Sequence, residues 1–267
     1  MELCTRCAKR NGQKKTTSEE KTCELCKGIF LDVPTFGQQI IGKMKAVGGE
    51  NRTFAIGTRL PRVIEAQEEK LWEVIDISKA SALKAELNRE LGKFVERNSS
   101  FAFDPKEPSV RITVDIKEKL VHTDVRPLFV FGKYKKKIEM RQTKKIGDPQ
   151  QSVEALIEKP LLDATNGKKV TLHGAGREDI DALMLGSGRP FVAEIIWPLV
   201  RKLNLKEIED KINNSDTGIE VIGLKQTIPG MVEIIKQARF DKTYEAIAEL
   251  DNPIKENNLK KIKPVTL

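Results

Sequence analysis

Two groups of residues in this 267-residue chain have types and spacings that could do chemistry. The first is the run HGAGREDIDALMLGSGRPF, His173 to Phe191, where Gly174, Gly176, Gly186 and Gly188 are interspersed with Arg177, Glu178, Asp179, Asp181 and Arg189 between apolar flanks. Glycine adopts tight or left-handed backbone without steric cost, so such a turn can carry carboxylates and guanidinium groups to the rim of a sheet. A glycine-rich connection with ordinary surface charges is the plain alternative, and spacing alone leaves both open. A phosphate-cradling P-loop is not expected, because the Gly-Lys-Ser/Thr it needs is missing. His122 and His173 are the chain's two histidines and form no obvious acid/base pair, so His173 is expected to pack or bond locally.

The second group is Cys4-x-x-Cys7 and Cys23-x-x-Cys26, which hold all four cysteines of the chain. Each knuckle offers two thiolates from one tight turn, and together they suit one tetrahedral metal. The segment between Cys4 and Cys23 has almost no apolar residues, so a metal, worth on the order of 10 kcal/mol, is the expected source of its folding. Structural Zn²⁺ is the reading, with residues 1–30 as a zinc ribbon. A catalytic zinc lacks a nearby histidine, and disulfides or a dithiol redox pair are the competing uses. Arg6, Lys9, Arg10, Lys14 and Lys15 add positive charge to this segment and could touch phosphate.

The elements that must position these residues can be read from periodicity. Phe36, Ile40, Met44 and Val47 recur at helical spacing and end at Gly48-Gly49, while Leu83, Leu87, Leu91 and Phe94 form a second stripe over Ser81 to Asn98. Arg52 to Leu60 and Ser109 to Ile116 read as strands, the latter alternating Val110, Ile112, Val114 and Ile116. PLFVF, Pro127 to Phe131, reads as a core strand closing a compact α/β unit. A linker follows at Lys145 to Gln150. The second part then gives a helix from Val153, a strand at Lys168 to Leu172, the charged turn, and a strand at Phe191 to Trp197. Further on come a helix at Glu207 to Asn214, a strand at Ile219 to Leu224, a helix at Met231 to Phe240, and a strand at Lys242 to Ala248. The overall class is α+β.

The balance of 47 basic against 39 acidic residues, net +8, favours a polyanionic partner. It is concentrated in GKYKKKIEMRQTKK, Gly132 to Lys145, read as a solvated hairpin or linker whose Lys133, Tyr134, Lys135, Lys136, Lys137 and Arg141 contact RNA phosphate. No run approaches the roughly 18 apolar residues of a membrane span, and the first residues do not form a signal peptide, so a cytoplasmic location is expected.

These residues carry a family resemblance. GREDIDALMLGSGRPF resembles the active-site segment of the Pus-ten type of tRNA pseudouridine synthase, with the more general G-R-x-D of several pseudouridine synthase families. AELNRELGK (Ala85 to Lys93), PLFVFGKYKK (Pro127 to Lys136), SVEALI (Ser152 to Ile157), DKINNS (Asp210 to Ser215), KTYEA (Lys242 to Ala246) and the paired knuckles extend it in the same order. The resemblance implies a THUMP-containing tRNA-binding domain at 31–146 and a mixed-sheet catalytic domain at 150–267. It implies Asp179 as the catalytic carboxylate, Arg177 and Arg189 as substrate-binding residues, and Tyr244 as the ring against the target uracil. It implies no organic cofactor, and uridines 54 and 55 of the tRNA T arm as targets.

Two departures are visible. Asp181 is followed by Ala182 and Leu183 where the family often has an arginine. The chain also ends at KIKPVTL, Lys261 to Leu267, where relatives continue, so an incomplete catalytic core, a companion polypeptide and weak activity of the isolated chain are expected. A tRNA-binding module without catalysis is the alternative function. A DNA-binding zinc protein would need a recognition helix that the sequence does not offer.

Overall fold

The computed structural model describes residues 1–13, 15–144, 152–247, 249 and 251–261. Two compact units divide the chain, Met1–Lys236 and Gln237–Leu267. The linker expected at Lys145 to Gln150, Lys14 and the last six residues lie outside the described residues.

The first unit opens with a short helix α1 (Thr5–Arg10) after Cys4, followed by α2 (Val33–Val47), β1 (Thr53–Arg59), α3 (Arg62–Trp72) and α4 (Leu83–Asn98). The strands β2 (Ala102–Phe103), β3 (Val110–Asp115) and β4 (Leu120–Val125) complete a sheet in the order β2-β1-β3-β4. β1 runs parallel to β3, and β3 antiparallel to β4. Helices α2 and α4 pack on each other and on this sheet. Their expected stripes are the ones that bury: Phe36, Ile40 and Met44 from α2, and Leu83, Leu87 and Leu91 from α4, enter one core with Phe54, Val110, Ile112 and Val114. α3 and β4 were not foreseen. α3 buries only Ile64, Glu68 and Leu71, too thin an apolar stripe to stand out, and β4 buries only Val121 and Val125.

The second sheet is formed by β5 (Leu128–Lys136), β6 (Lys169–Gly174), β7 (Met184–Ile196) and β8 (Ile219–Thr227) in the order β6-β7-β5-β8, antiparallel throughout. Helices α5 (Val153–Thr165) and α6 (Leu205–Asn213) cover one face, and Ile235 of α7 (Gly230–Gln237) meets Phe129 and Val192 on the other. Ser152 caps α5 by accepting from the Ala155 N–H, as a helix start at this serine requires.

Here the sequence reading needs three corrections. PLFVF does not close the first α/β unit: β5 is a central strand of the second sheet, hydrogen-bonded to β7 and β8, so a boundary at 146 would cut that sheet. The lysine-rich stretch after it is no solvated hairpin, because β5 continues without a break through Lys136. The charged turn is also shorter than expected, since β7 already begins at Met184. Gly186 and Gly188 therefore lie within a strand, both at positive φ, where one residue of β5, Lys135, stands against four of β7, 185–188. This is a β-bulge that absorbs the extra length.

In the second unit, α8 (Glu256–Leu259) is the helix that follows Gln237 among the described residues. The strand expected at Lys242 to Ala248 is not observed: 241–247 has neither helix nor strand, and Ala248 lies outside the described residues. A strand exists only where a neighbour takes its N–H and C=O groups, and this unit has none among its described residues.

Candidate active site

The amino-terminal cysteines converge. Their four buried sulfurs lie within 4.8 Å of one another, with Cys4 Sγ 3.9 Å from Cys26 Sγ. A tetrahedral metal with bonds of about 2.3 Å to sulfur sets the sulfurs about 3.8 Å apart, so the donor set and its spacing fit one metal ion. Without a cation the cluster resists complete ionisation, and one thiol gives up its proton far more readily than its neighbours. Burial pushes the Cys4 thiol up to about 11, and Cys7 is raised by its bond to Cys26 and by burial. The converging thiols, Cys7 first, lower Cys26 to about 6. The segment is fastened to the first sheet's helices by Arg10, whose Nη1 lies 2.5 Å from Glu68 Oε1 and donates to the Ser81 carbonyl. Trp72 Nε1 donates to Asn11 Oδ1, and Asn11 in turn donates to the Cys7 carbonyl. Arg10 is thus spent inside the fold, and Arg6 is occupied by Glu20, Glu86 and Glu90 and by the Phe30 ring.

Beneath the charged turn lies a buried polar network that no sequence pattern disclosed. Tyr134 and Lys136 are both 0% exposed, and Arg189 is 6% exposed. The Glu178 side chain points inward: its Oε2 lies 2.8 Å from Arg189 Nε, and the Tyr134 hydroxyl donates to the carboxylate at 2.9 Å. Gln142 Nε2 donates to the Tyr134 hydroxyl and to the Gly176 carbonyl, and Arg189 Nη1 donates to the Ala175 carbonyl at 2.6 Å. Lys136 Nζ donates to the carbonyls of Met140, Asp179 and Ile180, at 2.9, 2.9 and 3.1 Å. Burial, then the Glu178 charge, hold the Tyr134 phenol well above its ordinary value, and burial lowers the Lys136 ammonium. Gly188 has φ +76°, and a side chain there would sit 2.9 Å from the Tyr134 carbonyl oxygen, so only glycine lets β7 approach β5 at this point.

The candidate residues separate into two groups on this scaffold. Asp179 and Arg177 are exposed on the turn, and neither side chain has an ion pair or hydrogen bond among the described residues. Arg189, expected at substrate, and Tyr134 and Lys136, expected at phosphate, are inside, because a buried charge is tolerable only when paired and these are paired with the turn itself. Lys133, Lys135, Lys137 and Arg141 remain at least partly exposed, with Lys135 and Lys137 both at Glu220. His173 bonds locally, its Nε2 3.0 Å from Glu194 Oε2. Tyr244 is 78% exposed in the second unit. Sequence reasoning missed the structural roles of Glu178, Gln142 and Lys136. Carrying the two-residue alternation of β5 onward from Val130 would have put Tyr134 and Lys136 on its buried face.

The family model "Pus10, C-terminal" matches residues 129–266, and "Pus10 THUMP domain, archaeal" matches residues 36–115. The chain belongs to the Pus10 family. The first of these matches begins within β5, in agreement with the placement of that strand in the second sheet. Among curated Pus10 proteins, the tRNA pseudouridine synthase Pus10 of Pyrococcus furiosus is 36% identical over 93% of this chain and 63% of its own length. The proteins of the same name from Methanopyrus kandleri and Methanothrix thermoacetophila are 34% and 33% identical, each over 91% of this chain, and over 61% and 58% of their own lengths. The chain therefore spans about three fifths of the length of the Pus10 relatives it matches. Among the described residues no helix is long and apolar enough to cross a membrane.

Proposed function

We propose that this chain binds tRNA and isomerises uridine to pseudouridine in the T arm, at positions 54 and 55, with Asp179 as the catalytic residue. One observation carries the reading: the Asp179 carboxylate is exposed and uncommitted, while the backbone that bears it is fixed from below by Lys136. A carboxylate held in this way is poised to act without reorganising. Pseudouridine formation breaks the N1–C1′ bond and makes a C5–C1′ bond. N1 ends with a proton and C5 gives one up, so no oxidant, reductant or organic cofactor is needed. One carboxylate suffices, meeting the positive charge that develops on the sugar as N1 departs.

The base must first leave its stack, at a cost of a few kcal/mol. Arg177 offers a guanidinium for the vacated space, and Tyr244 offers an exposed ring for the extruded uracil. Residues 31–127 with the first sheet are the tRNA-binding part in this reading, joined by phosphate contacts from Lys133, Lys137 and Arg141. The cysteine cluster holds Zn²⁺ in a structural role, since all four donors are protein thiolates and no position is left for substrate.

The test is carbodiimide mapping of T-arm uridines after incubation with excess chain. Stops at 54 and 55 with the wild-type chain, and none with Asp179→Asn at equal tRNA occupancy, are expected. Stops elsewhere would overturn the target assignment, and binding without any modification would favour the alternative of a non-catalytic tRNA-binding module.

A further inference from the structure

Lys136 is a lysine with no access to water, and its position explains what it is for. It sits on β5 opposite Met184 of β7 and Ile219 of β8, with strands on both sides. An ammonium has three donors and no acceptor, and this one meets three acceptors: the carbonyls of Met140, Asp179 and Ile180. Two of the three belong to the turn, on consecutive residues, one of which bears the exposed carboxylate. The turn itself lacks regular secondary structure from Ala175 to Leu183, so these bonds are a main tether of its backbone at 179 and 180. Glu178, the adjacent residue, is fixed separately by Arg189 and Tyr134.

We propose that Lys136 is a positioning residue that sets the direction of the Asp179 carboxylate by fixing the carbonyls of the two consecutive peptide links, 179–180 and 180–181, that follow the Asp179 Cα. The inference rests on the reading of Asp179 as the catalytic residue. Burying a charged group in an otherwise dry sheet is costly, and a structural filler would be met more cheaply by methionine. Arginine is no substitute, because its planar fork cannot point three donors at three converging carbonyls. A displacement of about 1 Å at a reacting group can cost about 100-fold in rate, which is the scale of the effect to look for.

The experiment compares single-turnover pseudouridine formation, tRNA affinity and amide hydrogen exchange in the full chain and its variants. Lys136→Met is expected to lose about 100-fold in rate, with tRNA affinity unchanged and faster exchange confined to the peptide spanning 176–185. Lys136→Arg should not restore the rate. If Lys136→Met fails to fold, Lys136→Ala assayed with ethylammonium takes its place, and saturable recovery of rate is expected. A wild-type rate in Lys136→Met, or no recovery with the amine, overturns the inference. Asp179→Asn separates the two claims: an active Asp179→Asn removes the catalytic reading, whereas an inactive one beside a fully active Lys136→Met removes the role of Lys136 alone.

Discussion

At the amino terminus four cysteine sulfurs converge within 4.8 Å, and at the far end of β5 Tyr134, Lys136, Gln142, Glu178 and Arg189 converge under the charged turn. Both are buried polar centres, but their charge is balanced differently. The sulfurs, once ionised, all carry one sign, so the first centre is complete only with a cation from outside. The second contains both signs, and its charged side chains meet a carboxylate or backbone carbonyls within the fold. The first centre ties one segment to a neighbouring pair of helices, whereas the second aims a turn.

This difference can be broken most forcefully by removing metal. Chelation, or Cys7→Ser, should release residues 1–30 to proteolysis and cost up to about 10 kcal/mol of metal-coupled folding energy, while exchange in β5 and β7 stays slow. Equal loss of protection in both sheets would show that the two centres are not independent. Next in size is Glu178→Leu. It strands the Arg189 guanidinium with little beyond the Ala175 carbonyl, and losing one partner of a buried pair costs about 3–5 kcal/mol. Urea unfolding that shifts by less than about 1 kcal/mol, the scale of an exposed pair, would show that the pair is not a buried one. The smallest is Gly188→Ala, where a left-handed backbone and the Tyr134 carbonyl both oppose a side chain. About 1–3 kcal/mol is expected, read as a lower melting temperature, and a neutral result would mean the bulge relaxes freely.

The same contrast explains what was legible in the sequence. The cysteine centre is written in two local pairs, and helices α2 and α4 in apolar stripes that repeat every turn, so spacing alone discloses them. The network has members at 134, 136, 142, 178 and 189, which are far apart in sequence, and the local alternation of β5 signals only Tyr134 and Lys136 among them. Three differences between that reading and the structure share that origin. The lysines of β5 looked like a solvated run because three of them within four residues, Lys133, Lys135 and Lys136, outweigh the alternation beneath them. Arg189 looked like a substrate contact because it stands in the glycine-rich run. The boundary at 146 looked natural because β5 is separated in sequence from the strands it joins. The turn itself is present between β6 and β7, and Asp179 is exposed on it.

The most direct measurement is tritium release from tRNA labelled at C5 of uridine, since forming the C5–C1′ bond must free that hydrogen. Wild-type chain and Asp181→Asn are expected to release label in a single turnover, and Asp179→Asn to release none while still binding tRNA. Release by Asp179→Asn at the wild-type rate would contradict the assignment of the chemistry to that carboxylate.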